Sequence, residues 1–325
     1  MMCSNCLDWL SALVSLHRWK RLVYLVCGAW MFLCFAVPSN SHSAACCLSS
    51  TLGGVGRLRT WEQFALGVRL SSFVNLGSWN TQGLWRNEFH DFAQMDLRTE
   101  LWGMVGLGKR FDLYGRLPWF VNYRASSAQH EWGAALGDIE FGARFELASL
   151  GEHGDWPGLA ILAGVVIPTG RSPQQTSRPL ASDVTTRGDW RVGIGVIVEK
   201  SWDVMFVQLS LGAQLPFGFV REDLQQTQRF GWNIQSLLTT GIEFVPQWVF
   251  ALSLRFLWED ILHQGTFPVA NTEKMDMGVG VALSWSFDAH WSLILSVDTG
   301  LFFSGWGKNH PGGIVSTLNI RYGHF

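Results

Sequence analysis

The side chains that could do chemistry in this sequence are charged, and they recur at every second position. In the stretch GDIEFGARFEL, residues 137–147, apolar residues alternate with Asp138, Glu140, Arg144 and Glu146. Successive side chains of a strand point to opposite faces, so this pattern predicts a strand. One face of that strand meets an apolar environment and the other meets a polar one.

Sixteen charged residues occupy such polar positions, and we predict that they line an enclosed interior: Asp96, Arg98, Glu100, Arg116, Arg124, Asp138, Glu140, Arg144, Glu146, Arg191, Glu199, Glu243, Arg255, Asp276, Asp298 and Arg321. Buried charges are costly unless they pair or stay hydrated, which favours a water-containing lumen laced with ion pairs. This lumen is either a polar pathway for small solutes or a sealed interior that the pairs stabilise. The near balance of acids and bases argues against strong ion selectivity.

Histidine and serine form no recognisable catalytic or metal-binding pattern. The nine histidines are scattered without metal-ligand spacing, and there is no G-x-S-x-G motif. We therefore expect no enzyme, no metal and no cofactor. The enzymatic alternative is an outer-membrane phospholipase, which needs a serine and a histidine on the outer wall of its barrel. His290 and Ser292 lie beside a predicted short turn, at the wrong end for that chemistry.

About twelve alternating segments after residue 60 would position the charged side chains. The predicted connections alternate between short ones, near 108–111, 149–156, 201–203, 246–247 and 288–290, and longer ones, near 76–90, 124–135, 169–188, 218–229, 261–274 and 305–313. Transmembrane barrels show this order because their short turns face the periplasm and their long loops face outside. Strands of about 11–14 residues are also long enough to cross a bilayer. The sequence predicts an all-β, antiparallel, up-and-down transmembrane barrel of about twelve strands over residues 62–325.

Composition favours contact with a lipid bilayer. Charged residues make up 15% of the 325 residues, below the typical ~25%, and aromatic residues make up 14%, with 18 tryptophans. The net charge of −2 gives no basic excess for nucleic acid. Aromatic residues fall beside both kinds of connection, as in the two belts of a membrane barrel: Trp202, Trp248, Trp291, Tyr123, Phe217, Trp232 and Trp258.

The N-terminal residues predict export. Basic residues precede an apolar run at 22–37 and a small, polar stretch, which is typical of a cleavable signal over residues 1–45. Lipidation of Cys46, within SAAC, is one alternative, and a retained anchor helix is another. All six cysteines lie before residue 48, so the rest of the chain has no disulfide framework. Residues 46–61 are either a periplasmic linker or a short plug inside the barrel.

The middle of the chain resembles a known family. LGDIEFGARFEL, followed by WPGLAILAGVVIPTGRSP (156–173) and GDWRVGIGVIVEKSW (188–202), resembles outer-membrane transporters linked to the phenol meta-pathway. Those transporters are similar to the long-chain fatty-acid channels. The resemblance implies a small hydrophobic or aromatic cargo, but it carries over no substrate residue.

The chain ends in Phe325, which resembles the recognition signal of bacterial outer-membrane barrels. This resemblance implies assembly by the barrel-assembly machinery and residence in the bacterial outer membrane. Gly323 replaces the aromatic residue usual at the third position from the end, which predicts a weaker signal or a local bulge.

The leading functional hypothesis is a passive outer-membrane channel for small molecules, hydrophobic or aromatic ones among them. The alternative is a surface protein that transports nothing and binds a partner through its long loops, with 169–188 and 261–274 as candidates. An outer-membrane lipase is the third hypothesis.

Overall fold

The computed structural model describes residues 56–59, 62–87, 92–150, 156–221 and 226–325. The predicted export signal, Cys46 and the linker residues other than 56–59 lie outside the described residues.

Twelve long strands, of 10 to 16 residues each, follow one another through the described residues. They are β1 (Phe64–Trp79), β2 (Phe92–Gly106), β3 (Phe111–Ser126), β4 (Ile139–Ala148), β5 (Gly158–Ile167), β6 (Arg191–Trp202), β7 (Met205–Pro216), β8 (Asn233–Val245), β9 (Trp248–Glu259), β10 (Lys274–Ser286), β11 (Trp291–Gly300) and β12 (His310–His324).

Each long strand pairs antiparallel with the next along the chain, and β12 pairs with β1. The closing register runs from Phe64 opposite His324 to Trp79 opposite His310. Because the sheet closes, the backbone N–H and C=O groups of every barrel strand have partners on both sides. Unpaired backbone groups would be costly in hydrocarbon. The predicted up-and-down barrel of about twelve strands is confirmed.

Alternation along the strands separates the two faces of the wall. On β1, Leu66 and Leu70 are 54% and 44% exposed, whereas Ala65 and Arg69 are 1% and 7% exposed. The same contrast recurs around the barrel, where the exposed large side chains are leucine, isoleucine, valine, phenylalanine and tryptophan. An apolar belt around a closed barrel is the surface that acyl chains cover.

The connections alternate in length as predicted, and they define a short-turn end and a long-loop end. Some long connections extend the barrel as additional strand. His130–Leu136 pairs with β3, and β12 already begins at His310. These segments continue the backbone hydrogen bonding of their hairpins. The alternation pattern alone therefore made the strands at these two connections too short.

Several short strands and one 3-10 turn lie at the long-loop end. Trp85–Asn87 pairs with β1, Gly307–Lys308 pairs with β10, and Pro173–Gln175 forms a single 3-10 turn. Two long loops join in a four-stranded sheet made of Phe219–Arg221, Gln226–Arg229, His263–Gln264 and Phe267–Pro268. Within the described part of the chain, no helix has the length and apolar character to cross a membrane.

Aromatic rings gather at both ends of the barrel. At the short-turn end, Trp248 stacks on Trp285, with ring centroids 5.3 Å apart. At the long-loop end, Trp232 meets Trp258 edge to face at 5.0 Å. Rings of this kind suit the two interfaces of a bilayer, where an amphipathic ring contacts both acyl chains and headgroups.

Gly323 has a packing reason to lack a side chain. A Cβ there would lie 2.0 Å from Oε1 of Glu62. The register of β12 against β1 is regular through Tyr322, Gly323 and His324, so the local bulge predicted at this position is not formed.

Candidate functional site

The inner face of β1 to β4 carries neighbouring ion pairs. Glu100 is fully buried and accepts a hydrogen bond from Arg69 Nη1 at 2.9 Å and another from Arg98. Arg69 lies directly opposite Glu100 in the strand register. Arg116 reaches Glu140 at 3.6 Å, and Arg124 pairs with Asp96. Six of these seven residues were predicted as a polar set by alternation, and the wall strands bring the seven together in two pairs and one shared carboxylate.

A second group lies on β9, β10 and β11. Nη2 of Arg255 is 3.0 Å from Oδ2 of Asp276 and 3.0 Å from Oδ1 of Asp298. Two carboxylates therefore share one guanidinium.

The remaining predicted residues are spread around the barrel. Arg144 pairs with Glu146 at 3.2 Å, and Glu199 lies 4.0 Å from Arg57. Arg321 pairs with Glu62. Glu243 stands apart, because its carboxylate accepts the backbone N–H of Gln247 within a short turn.

The predicted set lacks several charged residues that pair with its members, among them Arg69, Glu62 and Arg57. It also lacks Glu259, which pairs with Arg187. Arg69 lies between Val68 and Leu70, and Glu259 follows Trp258, so alternation alone would have placed both on the inner face. Glu62 precedes the first strand and has no periodic signal that could have identified it.

A cavity of about 390 Å³ lies inside the barrel, toward the long-loop end. Six strands contribute to its lining: Arg69, Ser71, Phe73, Asp96, Arg98, Phe120, Arg255, Ser296, Asp298, Val315 and Thr317. The Arg98 guanidinium lies 5.5 Å from the centre of the Phe120 ring, within the range of a cation–π contact. The cavity thus combines ion pairs with an apolar, aromatic surface.

The segment before β1 contacts inner side chains at the short-turn end. Leu58 packs against Met104 and Tyr114. Arg59 donates to the carbonyl oxygen of Ala289 at 2.8 Å and to Oγ of Ser286 at 3.3 Å. Together with the contacts of Arg57 and Glu62, these bonds connect the segment to opposite parts of the wall.

The connection between β5 and β6, residues 168–190, bends inward at the long-loop end, and we name it the mouth loop. Nδ2 of Asn122, a buried residue of β3, donates to the carbonyl oxygens of Ser182 and Val184, both at 3.0 Å. At the other end of the loop, Arg187 forms two hydrogen bonds of 2.7 Å with Glu259 on β9.

Two aspartates of the mouth loop differ in their surroundings. Asp183 is buried, which opposes its charge, but hydrogen bonds from Thr176, Arg171 and Ser177 outweigh burial and hold its pKa well below the usual range. Asp189 is also buried and neither of its carboxylate oxygens has a hydrogen-bond partner among the described residues, so burial raises its pKa. Asp138, at the start of β4, accepts hydrogen bonds from Thr186 and from Arg191 and joins the loop to the wall.

The two residues considered for lipase chemistry have other contacts. Nδ1 of His290 lies 2.8 Å from the carbonyl oxygen of Gly323. Ser292 is fully buried, so it does not present its hydroxyl on the outer wall. Among the described residues, no group of three histidine, cysteine, aspartate or glutamate side chains is placed to hold a metal ion.

No protein-family model and no curated protein matches the sequence. Among solved structures, an outer membrane channel from Pseudomonas putida F1 is similar over 81% of this chain and 96% of its own, with a TM-score of 0.66 and 15% identity. The NanC porin aligns over 79% of this chain and 98% of its own, with a TM-score of 0.47 and 10% identity. The β domain of the Bordetella autotransporter BrkA aligns over 81% of this chain and all of its own, with a TM-score of 0.48 and 10% identity. The last two TM-scores lie below 0.5 and do not indicate a shared fold. The first, together with the closed sheet and its outward apolar belt, shows that this chain folds as a twelve-stranded β-barrel of the bacterial outer-membrane type.

Proposed function

We propose that this protein is an outer-membrane channel for the passive uptake of small molecules, hydrophobic or aromatic ones among them. The observation that carries the proposal is the 390 Å³ cavity inside the barrel. Phe73, Phe120 and Val315 offer it an apolar surface, and Arg98 and Asp298 offer polar contacts. Most ligand sites combine a largely apolar lining with a few convergent polar groups.

The contacts of residues 56–59 and of Glu62 support a role for this segment as a plug rather than as a linker outside the barrel. Its contacts with Met104, Tyr114 and Arg321 hold it against the inner wall. A plug at the short-turn end would restrict free diffusion while leaving the cavity open to solute from the other side.

The mouth loop supports the channel in preference to the partner-binding alternative. Its bonds to Asn122 and Glu259 direct it inward, where it narrows the entrance. A loop that recruits a partner would not need to be bonded to the inner wall at two places. The proposal assigns no catalytic step to any residue.

Reconstitution tests the channel directly. Purified protein in liposomes should admit small solutes in a swelling assay, and in planar bilayers it should conduct ions. Leu58→Gly, which removes the contact with Met104 and Tyr114, should raise the conductance, whereas Lys109→Gln, at an exposed turn, should not. If wild-type protein and Leu58→Gly both pass neither ions nor solutes, the channel proposal is wrong.

The proposal extends to assembly through Phe325. This residue is 39% exposed, and its ring lies 4.5 Å from that of His290 beside the last strand. Phe325→Ala should lower the amount of heat-modifiable barrel in outer membranes, while the purified variant refolds in detergent as well as wild type. Phe303→Ala, in an exposed loop, is the matched control. Equal amounts of the two variants in the membrane would count against recognition of Phe325 by the assembly machinery.

A further inference from the structure

The cavity inside the barrel has walls of opposite charge. On one side, Arg69 and Arg98 share a single carboxylate, that of Glu100. Two guanidinium groups against one carboxylate leave one positive charge on this wall. Asp96, which also lines the cavity, is balanced by Arg124 and does not cancel that charge.

The ion pairs of β9, β10 and β11, on the other side of β12, have the reverse balance. Asp276 and Asp298 share Arg255, with both ion-pair distances at 3.0 Å, and one negative charge is left. Of these two acids, Asp298 lines the cavity, whereas the side chain of Asp276 is only 2% exposed. Lys274 pairs with Glu259, which also pairs with Arg187, and none of these three residues lines the cavity.

The positive wall also holds hydrogen-bond donors that no described residue accepts. Nε of Arg69 and Nε of Arg98 are buried and have no partner. Arg69 as a whole is 7% exposed, and its guanidinium is fixed by Glu100 through Nη1. The side chain of Arg98 is 39% exposed, so its guanidinium is the part of this wall that a ligand carboxylate can reach.

Opposite charges facing each other across a small interior discriminate between ligands by their charge pattern. An ion of one sign is attracted to one wall and repelled by the other. A molecule that carries both signs has a favourable electrostatic interaction with each wall. Phe73, Phe120 and Val315 add an apolar surface between the walls.

We propose that this cavity binds a small zwitterion with an apolar side chain, such as an aromatic or branched α-amino acid. Its carboxylate accepts hydrogen bonds from Arg69 and Arg98, its ammonium donates to Asp298, and its side chain packs on Phe73 and Phe120. This inference rests on the proposed channel function, because it names the class of cargo that the channel selects.

Isothermal titration calorimetry on the purified barrel tests the site with four ligands that share a phenyl-ethyl frame. Phenylalanine carries both charges, 3-phenylpropionate only the carboxylate, phenethylamine only the ammonium, and 2-phenylethanol neither. All four titrations are carried out at the same pH, near neutrality. Phenylalanine should bind at least ~10-fold more tightly than each of the other three, the factor that one extra ion pair of about 1.4 kcal/mol gives.

Two substitutions assign the charges to their walls. Arg98→Gln leaves Glu100 with Arg69, and Asp298→Asn leaves Asp276 with Arg255, so each variant retains a one-to-one ion pair. Arg98→Gln should reduce phenylalanine binding to the level of phenethylamine, and Asp298→Asn should reduce it to the level of 3-phenylpropionate. Lys109→Gln, remote from the cavity, should leave all four affinities unchanged. If either variant fails to fold, the affinities of the four ligands for the wild-type barrel still test the proposal.

The proposal is overturned if any of the other three ligands binds as tightly as phenylalanine, or if either folded variant binds all four ligands as wild type does. Calorimetry does not depend on conductance. A barrel that binds phenylalanine and passes no solute would therefore support the site and overturn the channel, whereas a conducting barrel without this preference would overturn the site alone.

Discussion

Arg321 donates two hydrogen bonds to the carboxylate of Glu62, one of them from Nη1 to Oε1 at 2.8 Å, and both side chains are buried. The pair joins the residue that precedes β1 to the last strand, next to the seam where β1 and β12 close the barrel. Gly323 leaves the space that the Glu62 carboxylate fills.

Breaking this pair should destabilise the barrel strongly. Glu62→Met removes the carboxylate that Arg321 pairs with, and breaking a buried ion pair by removing one partner costs about 3–5 kcal/mol. Replacing both residues with methionine removes both charges and should recover most of that loss. The free energy of unfolding can be measured by urea titration in vesicles, with unheated gel mobility as the readout. Glu243→Gln, at a short turn, is the control, and a double variant as unstable as Glu62→Met would contradict this interpretation.

The apolar belt predicts a cost for charge that depends on depth in the bilayer. Leu252, in the middle of β9, is 45% exposed, and Val245, at the end of β8, is 49% exposed. Leu252→Arg should lower the free energy of unfolding in lipid vesicles by about 2–4 kcal/mol, and Val245→Arg by about 0–1 kcal/mol. Equal costs at the two positions would mean that the exposed apolar face does not meet lipid.

The barrel could be predicted from the sequence because its signal is local. Alternation places Leu66 outside and Arg98 inside whatever the neighbouring strands are, and the order of short and long connections follows from the strand spacing. The partners within the lumen are a different matter, since Arg187 meets Glu259 across 72 residues of chain. Such a contact depends on the path of the mouth loop, and no periodicity records that path. Glu62 illustrates the same limit, because its partner is 259 residues away.

Asp183 should hold the mouth loop together over a wide pH range. Because its pKa in the folded protein lies below the unfolded value of about 3.9, the stabilisation is complete above about pH 4 and is lost only as the pH falls through the folded pKa. Asp183→Asn weakens the charged hydrogen bonds from Arg171 and Ser177, each worth about 1.5–3 kcal/mol.

Limited proteolysis measures this effect. Trypsin at pH 8 should cut after Arg171 roughly tenfold faster in Asp183→Asn than in wild type, because a loss of about 1.4 kcal/mol raises the open population by that factor. Pepsin at pH 3 should leave the wild-type loop intact and cut the variant. If both proteins were cleaved at the same rate, Asp183 would not stabilise the mouth loop.

Arg187 and Glu259 provide the clearest test of whether the mouth loop limits passage. Glu259 also pairs with Lys274, so Arg187→Gln leaves Glu259 with a cation and preserves the barrel wall. Arg187 is about one third exposed at its side chain, so the lost pair is worth about 1 kcal/mol, which raises the open population of the loop roughly fivefold. Single-channel recordings should then show higher conductance or longer open times. Arg178→Gln removes the same charge from an exposed position of the same loop and should conduct as wild type does. If both variants conduct like wild type while trypsin confirms that Arg187→Gln has loosened the loop, the loop does not control entry, and the constriction must lie deeper, at the cavity or at the N-terminal segment.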